Sequence, residues 1–370
     1  MYLLNIGVIG VGFIGAMHID AIRRIPWANI MAISESNQNL SQEVKDKFCI
    51  ELVYTDWHEM ITNPQINVIH NCTPNHLHDE INRAAIEAGK HIYSEKPLSL
   101  KADTAKELWK LAIKHKVAHA VNHQYRLNAA VQEMKDRIQN GECGRPLFVR
   151  GYYLQESHSR KTDYSKRLIP ETSLTRAISD LGSHWADTVK YVMNQPIVSV
   201  MADMQTHHPV RIDPVTGDEI AIHSDDTTSV LFQMADGTPG MMMASKAACG
   251  HKNDLLVTVD GEECELSWHQ QQPDRLCINR REQGNCEVFM NSKLATASAG
   301  PYITLPPGHV MGWSEALRNN ILAFYTSIWS GSYLISEQIY ATFEDGWYTN
   351  LFIDACIKSS QDKRWVNIIN

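Results

Sequence analysis

Three ionisable residues, Asp180, His184 and Asp187, stand at i, i+4 and i+7, a spacing that places them on one face of a helix. An imidazole flanked by carboxylates suits proton transfer, because its unperturbed pKa lies near neutrality. In this reading His184 accepts a proton and Asp180 holds substrate. Asp187 either orients His184 or belongs to a solvated polar face. Two carboxylates and an imidazole could also bind a metal ion. None of the eight cysteines forms a C-x-x-C pair, however, so neither a zinc framework nor a dense disulfide scaffold is indicated.

A second constellation lies at the N-terminus. Gly10-Val11-Gly12-Phe13-Ile14-Gly15 matches G-x-G-x-x-G. The motif follows an expected strand and opens an expected helix, which is the context that gives it meaning. Gly10 permits a tight turn, Gly12 leaves room for a pyrophosphate, and Gly15 lets the helix pack close to the sheet. The free N–H groups of the first helical turn, including those of Phe13 and Ile14, then face the phosphates. Glu35 ends the next strand. A carboxylate there accepts hydrogen bonds from ribose hydroxyls and repels a 2′-phosphate, which favours NAD over NADP.

These residues need a scaffold. Over the first 125 residues short apolar runs alternate with amphipathic ones: strands at Leu3–Ile9, Ile30–Ser34, Val68–Asn71, Lys90–Ser94 and Val117–Val121, and helices at Phe13–Arg24, His76–Ala88 and Lys101–His115. That alternation reads as a doubly wound parallel sheet of Rossmann type. After Asn140 strand-like runs dominate: Leu147–Leu154, Ile197–Met204, Thr227–Met234, Gly240–Lys246, Leu255–Val259 and Leu276–Asn279. One early helix, Arg176–Met193, interrupts them, and two more, Gly312–Ser330 and Gln338–Ser359, close the chain. The fold class expected is α/β followed by α+β: a dinucleotide-binding domain over 1–125, then a substrate and oligomerisation domain over 126–370. This second domain has a large, mostly antiparallel open sheet with helices on one face. A length of 370 residues fits two cores. The net charge of −8 argues against nucleic acid as a partner. No apolar run is long enough to cross a membrane, and scattered thiols fit the cytoplasm.

Two further segments fall at the C-terminal ends of parallel strands, where such sheets bind ligands. Cys72-Thr73-Pro74-Asn75-His76-Leu77-His78 carries T-P-N-x-x-H, and Ser94-Glu95-Lys96-Pro97 carries E-K-P. With the glycine motif before them, Asp180-x-x-x-His184 after them, and Gly308-His309, Gly312-Trp313 and Phe343-Glu344-Asp345-Gly346 at the end, the chain resembles the Gfo/Idh/MocA oxidoreductases over nearly its whole length. The resemblance implies NAD(P) chemistry without a metal. It implies cofactor contacts from Thr73, Pro74, Asn75, His78, Glu95 and Lys96. It also implies that Lys96 reaches between nicotinamide and the substrate hydroxyl, joining Asp180 and His184 as the catalytic residues.

Substrate contacts are expected from Asn122, Tyr125 and Arg126, just past the last parallel strand, and from Gln155 and Arg176. Gly151-Tyr-Tyr-Leu-Gln155 is similar to a segment of relatives that act on sugars and anhydro-sugars, although Glu156 and Ser157 replace the Asp and Trp common there. The basic tract Ser157–Arg167, with Arg160, Lys161, Lys166 and Arg167, reads as an exposed loop, with a lid over a carboxylated sugar as the alternative. The function expected is hydride transfer between a ring hydroxyl carbon of a sugar, polyol or sugar derivative and NAD. A redox-neutral hydrolase, lyase or isomerase that uses NAD transiently is the alternative, and a non-catalytic sensor a third. A homodimer or homotetramer is expected, because relatives associate through the open sheet face.

Overall fold

The computed structural model describes residues 3–164, 175–335 and 337–368. The chain begins with β1 (Leu4–Ile9), α1 (Phe13–Arg23), β2 (Ala28–Ser34), α2 (Gln38–Phe48), β3 (Leu52–Tyr54) and α3 (Trp57–Thr62). It continues through β4 (Val68–Asn71), α4 (His78–Glu87), β5 (His91–Ser94), α5 (Ala102–His115) and β6 (His119–Val121). All the pairings are parallel, in the order β3-β2-β1-β4-β5-β6. This is the order of a dinucleotide-binding sheet, with the ligand edge at the carboxyl ends of β1 and β4.

In this run the expected strands and helices stand within two residues of their places, but the sequence reading passed over α2, β3 and α3; the closing helix expected at Gln338–Ser359 spans Phe343–Asp362 instead. The reason is local. Helix α2 is polar on most of its surface and buries only Ser41 and Val44, so its apolar stripe is faint. Its start is fixed instead by Asn37, whose Oδ1 accepts from the N–H groups of Asn39 and Leu40.

The second run comprises α6 (Ala129–Gln139), β7 (Pro146–Leu154), a π-helical turn (Ile178–Gly182), α7 (Ser183–Met193), β8 (Ile197–Gln205), β9 (Val210–Ile212), β10 (Glu219–Ala221), β11 (Thr227–Met234), β12 (Pro239–Ser245), β13 (Asp254–Gly261), β14 (Cys264–His269), β15 (Arg275–Arg280) and β16 (Cys286–Phe289). Helices α8 (Trp313–Ser330) and α9 (Phe343–Asp362) and the short β17 (Val366–Asn367) end the chain. Nine strands form one sheet in the order β16-β15-β14-β13-β7-β12-β11-β8-β17, in which only β7 and β12 run parallel. Helix α7 lies against β13, and Trp185 Nε1 donates to the Leu256 carbonyl at 2.7 Å. Along β11 buried Thr228, Val230, Phe232 and Met234 alternate with exposed Ser229, Leu231 and Gln233. One face of this strand is therefore in the core and the other in solvent.

The described chain divides into two compact units. The first joins residues 1–124 to 314–348, and the second joins 125–313 to 349–370. The sequence reading gave everything after 125 to one domain. In the structure the stretch Ser314–Tyr348 groups with the N-terminal sheet instead. Two backbone contacts explain its return: Val121 N–H donates to the Ala341 carbonyl at 2.9 Å, and the Phe343 N–H reaches His119 Nδ1 at 3.1 Å. Ala341 and Phe343 complete the apolar core around Ile69, Ile92 and Val121.

Candidate functional site

In the first unit the glycine motif forms a cradle. Gly10 has φ +80°, a left-handed conformation that disfavours any side chain. A Cβ on Gly15 would lie 2.1 Å from the Gly10 carbonyl oxygen, so only glycine lets α1 start this close to β1. Gly12 faces open space and caps α1 with no side-chain hydrogen bond, leaving the first N–H groups of the helix for a ligand. Phe13 is exposed and Ile14 half-buried. Glu35 Oε2 accepts from the Val11 N–H at 3.1 Å, and Oε1 accepts from the Asn37 N–H at 3.1 Å. The carboxylate is thus fixed beside the turn. This arrangement fits an NAD pyrophosphate on the turn and a ribose at Glu35.

Thr73 and Asn75 are half-buried after β4, and Pro74 is exposed. Thr73 Oγ1 donates to Asn71 Oδ1 at 2.7 Å. His78 departs from expectation. It is fully buried, with Nδ1 2.7 Å from the Pro97 carbonyl and Nε2 3.0 Å from the Thr73 carbonyl. Both ring nitrogens face backbone carbonyls, and the neutral ring donates to one of them at a time, so the imidazole sits between the Thr73 and Pro97 loops and offers no ring nitrogen to a cofactor. Burial holds its pKa below the ordinary value, partly offset by the two carbonyls.

Glu95 and Lys96 follow β5, and the Lys96–Pro97 peptide is cis. Lys96 is half-buried, whereas Glu95 is buried. Burial alone would raise the Glu95 pKa. The hydrogen bond and charge of His18, the Lys96 charge and the Asn122 amide outweigh it and hold the carboxyl below the ordinary range. Asn122, expected at substrate, is committed to this network. Its Nδ2 donates to Glu95 Oε1 at 2.6 Å, and its Oδ1 accepts from the Tyr93 hydroxyl at 2.8 Å.

In the second unit the three residues expected on one helical face are separated in role. The π-helical turn at Ile178–Gly182 carries Asp180, while His184 and Asp187 lie on α7. A π turn changes the angular step, so a face counted in α-helical spacing is not kept through it. Buried Asp225 holds the start of the turn: its carboxylate accepts from the N–H groups of Arg176 at 2.5 Å and Ile178 at 2.8 Å. Asp180 Oδ2 lies 2.8 Å from Arg176 Nη1 and 3.0 Å from Lys246 Nζ. Arg176 is therefore committed to Asp180. Lys246 also donates to Gln155 Oε1 at 3.1 Å, and Gln155 Nε2 donates to Asn253 Oδ1 at 2.9 Å. Asn253 Oδ1 accepts from the Tyr153 hydroxyl at 2.7 Å, which lies 2.9 Å from the Tyr125 hydroxyl. The His184 ring packs edge-on against Tyr125, with centroids 5.3 Å apart.

Arg126 differs from expectation. Its Nε and Nη2 donate to Asp187 Oδ2 and Oδ1 at 2.8 and 2.6 Å, and both side chains are buried. The guanidinium faces a carboxylate of its own chain, and Asp187 braces Arg126. Arg211 is also fully buried; its guanidinium donates to the carbonyls of His158, Arg160 and Asp163 and to Asp226 Oδ1. It holds the first half of the basic tract, while Lys166 and Arg167 lie outside the described residues.

Sequence reading missed Lys246, Asn253, Tyr153, Asp225 and His18. Tyr153 lies inside the Gly151–Gln155 segment but was given no role; for others the signal is position: Lys246 and Asn253 flank the loop between β12 and β13, and His18 falls one turn past the glycine motif. Among the described residues no group of three or more His, Cys, Asp or Glu side chains could hold a metal ion, and no helix is long and apolar enough to cross a membrane.

Comparison with known proteins decides the family. Residues 4–123 match a model described as an oxidoreductase family with an NAD-binding Rossmann fold, and residues 131–267 match the GFO/IDH/MocA C-terminal domain. The chain belongs to the Gfo/Idh/MocA family. A levoglucosan dehydrogenase of Pseudarthrobacter phenanthrenivorans is 29% identical, with 100% of this chain and 99% of that protein covered. A myo-inositol 2-dehydrogenase of Thermotoga maritima is 28% identical over 66% of this chain and 69% of its own. A structure of levoglucosan dehydrogenase with NADH and L-sorbose superimposes with a TM-score of 0.92 at 28% identity, covering 100% of both chains. This Gfo/Idh/MocA protein is an NAD-dependent oxidoreductase, as the sequence reading expected.

Proposed function

We propose that the protein oxidises a ring hydroxyl of a sugar, polyol or sugar derivative, with an anhydro-sugar as the first class to test. The observation that carries this is the continuous polar row Asp180–Lys246–Gln155–Asn253–Tyr153–Tyr125 in the second unit. Alternating donors and acceptors of this kind suit a ring bearing several hydroxyls, and the relatives named for levoglucosan and inositol support that choice. When bound, the nicotinamide is the hydride acceptor. The chain supplies the rest. His184 takes the hydroxyl proton, Asp180 accepts a hydrogen bond from a neighbouring hydroxyl, and Lys96 donates to the reacting oxygen as its carbon loses hydride. Glu35, Thr73, Asn75 and the glycine turn hold the cofactor.

The test follows absorbance at 340 nm and substrate loss in the same wells, over sugars, polyols, sugar acids and anhydro-sugars with NAD. Absorbance rising with substrate loss supports the proposal. Substrate loss at constant absorbance would replace it with transient oxidation and return of the hydride. Bound NAD without turnover of any substrate would replace it with a sensor.

Association through the open sheet face belongs to the same reading. Leu231 and Met241 are cross-strand partners and both are exposed, at 51% and 47%. The expected state is a homodimer or homotetramer, and a monomer by light scattering at micromolar protein would overturn it. All eight cysteines are free thiols, which supports a reducing compartment, the cytoplasm.

A further inference from the structure

Behind Glu95 the first unit buries a chain of hydrogen-bonding groups that the proposed chemistry does not use. His18, on α1, is fully buried, with Nε2 3.0 Å from Glu95 Oε1 and Nδ1 2.9 Å from His70 Nδ1. His70, on β4, is also fully buried, and its Nε2 lies 2.8 Å from the Tyr325 hydroxyl on α8. The His70 ring stacks on Tyr93 with centroids 4.8 Å apart and planes within 6°. The Tyr93 hydroxyl accepts from Asn320 Nδ2 at 2.5 Å and donates to Asn122, which returns to Glu95. Glu95 Oε2 accepts the backbone N–H of Lys96 at 3.2 Å. The other titratable groups acting on or sensing this carboxylate are Lys96, His78, Tyr93 and Cys72.

An ionised carboxylate only accepts, so His18 Nε2 carries a hydrogen toward Glu95. Burial, and then the charge of His18, keep His70 well below its ordinary pKa, so its ring is neutral with one donor and one acceptor. Two wirings remain. In one, His70 donates to a neutral His18 and accepts from the Tyr325 hydroxyl. In the other, a doubly protonated His18 donates to His70, which donates to Tyr325. Both present the same N–H to Glu95; the second holds one proton more than the first, and no heavy atom need move between them. Two imidazoles in hydrogen-bond contact are costly to bury, and packing alone does not call for them.

We infer that His18, backed by His70 and Tyr325, is a positioning residue for the redox site: it keeps the Glu95 carboxylate ionised and oriented under the backbone of Lys96. This rests on the proposed role of Lys96 at the reacting hydroxyl. Loss of the His18 donor leaves a buried carboxylate short of one partner. Glu95 then takes up a proton at higher pH, and the Lys96 segment loses its fixed acceptor.

The experiment compares the pH profiles of kcat and the substrate KM in the full-length parent, His18→Gln and His18→Phe, with thermal melts of each. The Gln variant keeps a donor to Glu95 but not the His18 charge that helps hold the carboxyl down. It should keep kcat within a few-fold at alkaline pH, with an acid limb shifted upward by about one pH unit or more. The Phe variant should lose about tenfold or more in kcat while the sugar KM stays within about twofold. Folded variants whose profiles superimpose on the parent's overturn the inference. Should neither variant fold, the parent supplies its own readout. With 13C-carboxyl-labelled glutamate, the resonance absent from Glu95→Gln should titrate below the ordinary carboxylate range, and titration at or above that range overturns the inference. A Lys96→Ala enzyme that keeps parental kcat would defeat the proposed role of Lys96 instead, and leaves the Glu95 titration to judge the His18 contact by itself.

Discussion

Arg126 and Asp187 form a bidentate ion pair, 2.8 and 2.6 Å long, with side chains 4% and 0% exposed. Arg126→Ala would leave Asp187 charged, buried and unpaired, at a cost of about 3–5 kcal/mol. The Arg126→Gln/Asp187→Asn double variant should recover a large part of that loss, because the uncompensated charge is gone. Urea unfolding of the single and double variants measures the coupling. If Arg126→Ala raises KM for the sugar and leaves stability unchanged, Arg126 is a substrate contact after all.

Lys96→Ala and His184→Ala should each lower kcat by about 10²-fold or more while the protein keeps its melting temperature and NAD affinity. Steady-state kinetics on the best sugar found at 340 nm make the measurement. A kcat within about threefold of the parent in either variant removes that residue from proton transfer.

Glu35 stands beside the glycine turn with no arginine next to it in sequence. Glu35→Gln keeps an acceptor but removes the charge that repels a 2′-phosphate. The ratio of kcat/KM for NAD over NADP should fall by about tenfold. An unchanged ratio means that the carboxylate does not face the ribose.

Acid should begin to destabilise the fold below about pH 6.5 through its buried histidines. Burial lowers the pKa of His91 and His119 to about 4, and burial with the charges of Arg176 and Lys246 lowers that of His158 to about 3. His91 Nδ1 accepts the Ala118 N–H at 2.9 Å, and His119 Nδ1 the Phe343 N–H at 3.1 Å, so each ring must be unprotonated there. Below pH 6.5 the unfolded chain takes up protons that the folded chain refuses. This stability is complete above about pH 6.5 and is lost as the pH falls toward 4, by at most about 1.4 kcal/mol per pH unit for each ring. Urea midpoints between pH 7.5 and 4.5 check it, and His91→Gln should flatten the slope. A flat profile in the parent contradicts it.

Much of the cofactor half was legible in the sequence, because its signals are local. Gly10 and Gly15 are dictated by a turn and a close approach over six residues, and Glu35 by the end of the adjacent strand. The fold class was legible for the same reason, since periodicity is written along each element. The second half was legible only as residue types. Asp180 and His184 stood out, yet their helical face did not survive the π turn, which a distant carboxylate, Asp225, helps to hold through hydrogen bonds spanning 49 and 47 residues.

The sequence by itself determined the parallel sheet, the glycine cradle and the candidate catalytic side chains, because strand period, turn stereochemistry and motif order are short-range properties. Only the tertiary structure decided what each polar group faces. Asn122 and His18 meet Glu95 across 27 and 77 residues, Arg126 meets Asp187 across 61, and Lys246 meets Gln155 across 91. A buried donor must find an acceptor wherever the fold brings one, and no local pattern records which it will be.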